Sequence, residues 1–384
     1  MSTSDDFSVL KTPEYIKALE NFGDLMNQDG RVFLLGAGCS YHAGCPLMQD
    51  LTSGVLKGDG LDEDSKKVLE GIKSIFSGAN KPNIEDYLSE IIDHLAISER
   101  RDFLGSKNTE VYIQSGKYTK FILINAIEQI KQSIAKAIRC EGKKPDLSIY
   151  RQFVISIHQV LRPGKIGNFR KVDYVYLNYD SFLEDALSLE KISFTDGMNG
   201  GSVGWWEPKM FDREDYKANI LKIHGSIEWC EFESDPFPRR IPERIIDNPK
   251  NRKILIWPAS TKYRETQRDP FAELIKRFRD ILTIVPGKQI ILTICGYSFN
   301  DSHINIEIEQ ALKESDGRLT LVVFTSDNEP LGDLKKWNEN EDIGKQILIY
   351  AKNGFFHYPE RYPSTVDLPW WKFENVTRII GGEK

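Results

Sequence analysis

Apolar and polar positions along the 384-residue chain follow two patterns. Short, mostly apolar runs predict buried strands at Val32 to Leu35, Tyr174 to Leu177, Ile220 to Ile223, Ile254 to Trp257, Gln289 to Cys295, Leu319 to Phe324 and Gln346 to Tyr350. Elsewhere apolar residues recur three and four apart, as in an amphipathic helix. Tyr15, Ile16, Leu19, Phe22, Leu25 and Met26 mark one such helix, closed by Asp29-Gly30, and Leu47, Leu51 and Val55 mark another. Further helices start at Ser181 and span Pro270 to Leu282 and Asp301 to Lys313. Continuous apolar runs suit strands buried on both faces, and strand–helix alternation places them in a parallel sheet. The expected fold is α/β: a Rossmann-like, mostly parallel sheet with helices on both faces.

Between residues 57 and 163 the pattern is helical throughout, at Val68 to Phe76, Ile84 to Leu95, Thr119 to Arg139 and Leu147 to Leu161, with no convincing strand. Asn83 is placed to cap the second of these, with Glu85 and Asp86 in its first turn. This interval reads as a helical insertion domain, large enough to be domain-sized. The division expected is 1–56 with 164–354 as the α/β domain, 57–163 as the insertion, and 355–384 as an aromatic tail. The tail carries Phe355, Phe356, Tyr358, Tyr362, Trp370, Trp371 and Phe373. It is expected to pack back on its own domain, an oligomer or partner interface being the alternative.

Candidate chemistry gathers directly after the strands. Gly36-Ala37-Gly38 and Ser40 follow the first, Asn178-Tyr179-Asp180 a second, His224-Gly225-Ser226 a third, and Gly296 to Asp301 a fourth. Ligands of open parallel sheets bind at the carboxyl ends of strands, so the four clusters would share one edge. A glycine turn before a helix suits a diphosphate. Asn178 and Asp180 suit ribose hydroxyls or a carboxamide. His224 suits general-base work. Gly296 and Ser298 could admit a second ribose, and Asp301 could back them or cap the next helix. Each cluster taken singly also reads as turn or capping chemistry. His42, His94, His158 and His357 read as structural, and His303 as minor.

Several alternatives fare worse. The third glycine, Gly44, is too late for a G-x-G-x-x-G fingerprint, and no G-K-[ST] completes a P-loop. Cys39 with His224 and Asp301 would make a thiol nucleophile, but its neighbours match no nucleophile elbow. No metal-ligand spacing is seen among the five scattered cysteines, which fit a reducing, cytoplasmic setting. The net charge of −6 argues against direct nucleic-acid binding. The basic run Lys131, Lys136, Arg139, Lys143, Lys144 reads as a solvated helix face. No secretory signal or membrane span is expected.

Taken in order, G-A-G-C-S (36–40), L-N-Y-D (177–180), K-I-H-G-S (222–226) and G-Y-S-F-N-D (296–301) resemble the motifs of the sirtuin family. The likeness is closer to bacterial sirtuin-like NAD-cleaving effectors of anti-phage defence, which I-E-D-Y-L (84–88) and W-P-A-S-T-K-Y (257–263) also resemble. The resemblance implies that Gly36, Ala37, Gly38 and Ser40 bind the NAD diphosphate and that Asn178 and His224 are catalytic. It implies that Asp180, Gly296 and Ser298 contact ribose or nicotinamide, with Asp301 beside them. Deacetylating sirtuins carry a four-cysteine zinc module after the histidine motif. Here that interval holds only Cys230, so no zinc is expected and water becomes the expected acceptor. The implied activity is NAD hydrolysis to nicotinamide and ADP-ribose, with NAD as substrate. Regulation is expected through homo-oligomerisation or, given the chain's length, a HerA-type ATPase partner. The competing readings are a sensor that holds NAD or ADP-ribose uncleaved, and a nuclease or nucleic-acid-associated subunit.

Overall fold

The computed structural model describes residues 5–76, 78, 81–140, 144–159, 171–232, 235–241, 253–256 and 269–383. Its strands, in chain order, are β1 (Arg31–Leu35), β2 (Val111–Ile113), β3 (Gly116–Tyr118), β4 (Val172–Tyr176), β5 (Phe194–Thr195), β6 (Met198–Gly200), β7 (Gly204–Trp206) and β8 (Ala218–Lys222). Then come β9 (Gly225–Phe232), β10 (Asp235–Arg240), β11 (Lys253–Ile256), β12 (Ile290–Cys295), β13 (Leu319–Thr325), β14 (Ile347–Ala351), β15 (Gly354–His357) and β16 (Glu360–Pro363). Nine form the main sheet, in the order β16-β15-β14-β13-β12-β1-β4-β8-β5. From β14 to β5 every neighbouring pair is parallel, and only the pairs β14–β15 and β15–β16 are antiparallel.

Both faces of this sheet are covered, which is why its strands read as continuous apolar runs. On β1, Phe33 and Leu35 enter one core while Val32 and Leu34 enter the other. The first core also takes the helix Pro13–Met26, the insertion and the C-terminal helix Phe373–Ile380. The helices Phe271–Leu282 and Ser302–Glu314 close the second. The mostly parallel α/β fold with helices on both faces is therefore as expected.

Two features depart from the sequence reading. The interval 57–163 is not purely helical, because β2 and β3 form a hairpin within it. Three-residue strands are too short to show an alternation. The run beginning at Ile254 is a strand but not part of the parallel sheet. It lies in a five-stranded antiparallel sheet of order β11-β9-β10-β7-β6. The reason lies upstream: only Ile223 and His224 separate β8 from β9, whereas a parallel neighbour needs a crossover of about a dozen residues or more. A two-residue link would allow an antiparallel hairpin, but both edges of β8 are taken by β4 and β5, so β9 leaves the sheet and pairs with β11 instead.

The insertion helix Ile84–Phe103 begins at the Asn83 capping box, in which Asn83 Oδ1 accepts from Glu85 and Asp86 amides and Asp86 accepts from the Asn83 amide. The aromatic tail begins inside the sheet, as β15 pairs with β14 and β16 with β15. Trp370 follows, fully buried, its Nε1 donating to Ala351 O at 2.7 Å and its ring edge-on to Tyr15 and Tyr350.

Candidate active site at four strand ends

β12, β1, β4 and β8 are consecutive in the main sheet. Their carboxyl ends bring Gly296, Gly36, Asn178 and His224 side by side, although the outermost two motifs lie about 260 residues apart in the chain.

The glycine turn and the Gly296 loop touch each other. A Cβ on Gly36 would lie 2.4 Å from Gly296 O, one on Gly38 would lie 2.8 Å from Gly296 Cα, and one on Gly296 would lie 2.6 Å from the Cys39 nitrogen. The Gly36 and Gly38 amides donate to Cys295 O and Gly296 O, at 2.9 and 3.0 Å. These glycines thus serve a close backbone approach, and their N–H groups are used within the protein. Ala37 is exposed and Gly38 half-exposed at the crest of the turn. Cys39 is buried, its thiol donating to Cys295 O, and burial pushes its pKa far up. A buried thiol held protonated is a poor nucleophile.

Ser40, Asn178 and Asp180 meet in a buried network beneath the turn. Asn178 Nδ2 donates to Gly36 O at 3.0 Å and to Ser40 Oγ at 2.8 Å. With both amide hydrogens engaged, Oδ1 is the atom left to receive a further donor. Ser40 donates to Asp180 Oδ2 at 2.7 Å, and its oxygen stands 2.9 Å from Tyr150 Oη. Asp180 Oδ1 accepts from Tyr176 Oη and from the Phe182 amide. Both oxygens of Asp180 and the hydroxyl of Ser40 therefore face inward rather than toward a ligand.

Below Asp180 lies Lys222, fully buried on β8. Its ammonium donates to Asp180 O and to Glu184 Oε1, and lies 5.0 Å from the Tyr176 ring centroid. Burial pushes the Glu184 carboxyl up to about 7, against the opposing pull of Lys222. Burial likewise raises Tyr150 and Tyr176, keeping both phenols protonated as donors. Sequence reasoning passed over Tyr150, Tyr176, Glu184 and Lys222. The visible signal was Lys222, a charge two residues before His224 in an otherwise apolar run.

His224 is buried, with Nε2 3.9 Å from Asp301 Oδ2, close enough for a charge interaction but long for a hydrogen bond. Its ring lies 6.0 Å from His303 and 6.5 Å from Tyr179. Gly225 follows with φ +84°, and a Cβ there would strike Leu255 O at 2.2 Å, so glycine is needed for β9 to meet β11. Tyr179 reaches the other way, donating to the buried Glu85 of the insertion at 2.6 Å. Asp301 stands at the N-cap of the helix Ser302–Glu314 without capping it through its side chain. Ser298 is exposed. Tyr297 anchors this loop by donating to Asn305 Oδ1 at 2.9 Å, while Asn305 Nδ2 donates to Phe299 O at 2.7 Å. The segment 257–263 lies outside the described residues.

Residues 173–344 match the SIR2-like domain family. The matched segment runs from β4 to just before β14, so it contains Asn178, His224 and the Gly296 loop but not the turn at Gly36. SIR2-like domains use NAD. No curated protein matches the chain. Among the described residues, no group of three or more His, Cys, Asp or Glu side chains could hold a metal ion, and no helix is long and apolar enough to cross a membrane.

Proposed function

We propose that the chain is an NAD glycohydrolase, releasing nicotinamide and ADP-ribose. One observation carries this reading. Asn178 and His224 end neighbouring strands, with Asn178 Oδ1 available to a donor and His224 beside Asp301. NAD supplies the nicotinamide leaving group and the ribose on which positive charge builds as the C1′–nitrogen bond breaks. Asn178 Oδ1 receives a ribose hydroxyl or the incoming water. His224 takes a proton from that hydroxyl or water, and the Asp301 carboxylate stabilises the imidazolium so formed. Ala37, at the exposed crest of the turn, faces the diphosphate, and Gly296 and Ser298 meet the second ribose. Ser40 and Asp180 act from beneath, by fixing Asn178.

The test is chromatography of NAD incubated with the purified protein, with and without an acyl-lysine peptide. Equal amounts of nicotinamide and ADP-ribose are expected without peptide. Asn178→Ala and His224→Ala each reduce the rate by about 10²-fold or more. Intact NAD recovered from a saturated protein would instead mean a sensor, and cleavage only with peptide would mean deacylation. Either result overturns the hydrolase reading.

The same proposal extends to biology: an NAD-depleting effector of anti-phage defence, held in check by self-assembly or by a HerA-type ATPase. Cellular NAD should fall on phage infection in cells making the wild type and hold steady in cells making His224→Ala. Equal NAD in both would remove the defence role.

A further inference from the structure

We infer that Tyr150, held in place by the C-terminal helix, is a positioning residue of the strand-end site. This rests on the NAD-cleaving reading for its kinetic consequence, but not for its structural one.

Tyr150 lies on the helix Ser148–His158 and is fully buried. Its hydroxyl is 2.9 Å from both Ser40 Oγ and Tyr176 Oη. Those two neighbours have already given their protons to Asp180. The single phenolic proton of Tyr150 is therefore the remaining donor between them. Given to Ser40, it completes that hydroxyl: one bond donated, to Asp180, and two accepted, from Tyr150 and Asn178. A hydroxyl saturated in this way cannot rotate. It fixes the Asn178 amide and thereby the direction of Asn178 Oδ1.

Tyr150 is in turn set by the chain's last helix. The Phe373 ring packs 5.2 Å from the Tyr150 ring and 4.9 Å from Phe153. The next residue, Glu374, reaches the glycine-turn loop itself, its Oε1 lying 2.7 Å from His42 Nε2. Two consecutive residues of one helix thus hold the loop that carries Ser40: Phe373 from below through Tyr150, Glu374 from the side through His42. A segment that the sequence presents as a separate aromatic tail is part of the site's support.

The test compares the full-length wild type with Tyr150→Phe, Glu374→Gln and, as a control just beyond that helix, Glu383→Gln, whose carboxylate pairs with Arg378 at the surface. Hydrogen exchange of the free protein reads the loop without any ligand. Tyr150→Phe should speed exchange of amides in residues 36–44 by about tenfold, the scale of one lost hydrogen bond. Steady-state NAD cleavage reads the consequence. Tyr150→Phe should lower kcat by about tenfold with KM nearly unchanged, whereas Glu374→Gln should raise KM about threefold. Glu383→Gln should match the wild type in both. Wild-type exchange over 36–44 in Tyr150→Phe overturns the inference. So does wild-type kcat per folded molecule with only a lowered melting temperature. If the wild type leaves NAD intact, the hydrolase reading falls, and the exchange measurement still decides the role of Tyr150.

Discussion

Asn178 has two amide hydrogens, and Gly36 O and Ser40 Oγ take them both. Asn178→Asp turns a carboxylate oxygen toward those two acceptors. It should remove NAD cleavage and also destabilise the fold by about 1–3 kcal/mol, which denaturant titration would measure. Gly36 is constrained by its neighbour rather than by a ligand. Gly36→Ala sets a methyl 2.4 Å from Gly296 O, a backbone atom that cannot swing aside. A loss of about 2 kcal/mol or more is expected in the same measurement, with NAD cleavage falling as the two loops part. Both residues stood out in the sequence, one as a polar side chain after a strand and one as a turn glycine, and so did Ser40 and Gly296, but not the contacts that join them. A glycine that admits a ligand and a glycine that admits another loop look alike in sequence.

Strand and helix ends are the elements on which the site depends. β8 brings Lys222 beneath Asp180 and, two residues on, the buried His224 to the carboxyl end of the strand. Lys222→Met leaves Glu184 buried without its cation, which should cost about 3–5 kcal/mol. The double variant with Glu184→Gln should recover most of that, because the stranded charge is gone. At the far end of the helix Ser148–His158, His158 Nε2 lies 2.8 Å from Tyr174 Oη. Burial, with Arg31 nearby, pulls His158 from 6.5 down to about 3. Below pH 6.5 the unfolded chain binds a proton that the folded chain refuses until about pH 3. Stability is therefore full above pH 6.5 and falls as pH drops from 6.5 toward 3, by at most ~1.4 kcal/mol per pH unit from this group. His158→Gln should flatten that part of the urea midpoint against pH. The strands and helices that carry these groups were legible from periodicity. The hairpin β2–β3 was not, being too short, and the departure of β9 from the sheet follows from a short connection and from β8 having both edges taken, rather than from any pattern within the strand.

At the scale of the whole molecule, the chain's end closes the fold. β15 and β16 extend the main sheet, Trp370 fills the core against Tyr15 and Tyr350, and Lys372 pairs with Asp5 at 2.8 Å. Truncation before Gly354 would uncover Tyr350, Tyr15 and Phe153. Each large side chain so exposed gives up about 1.5–3 kcal/mol, so the shortened chain should be recovered only as aggregate or as unfolded protein on size-exclusion chromatography and circular dichroism. Recovery of a folded monomer would show the tail to be dispensable. The helix Ile84–Phe103 also reaches the site, through Glu85 and Tyr179.

By itself the sequence determined the parallel core, the helices on its faces, and which residues stand where strands stop. Those are local properties: a run of apolar side chains, a helical repeat, a glycine at a turn. Only the tertiary structure decided that β12, β1, β4 and β8 are neighbours, that Ser40 and Asp180 face inward, and that Tyr150, Lys222 and Phe373 stand behind them. Ser40 and Asp180 are 140 positions apart, and Tyr150 and Phe373 more than 200. A hydrogen bond or ring contact over such a separation leaves no periodicity in the chain, because it exists only once the sheet has ordered its strands.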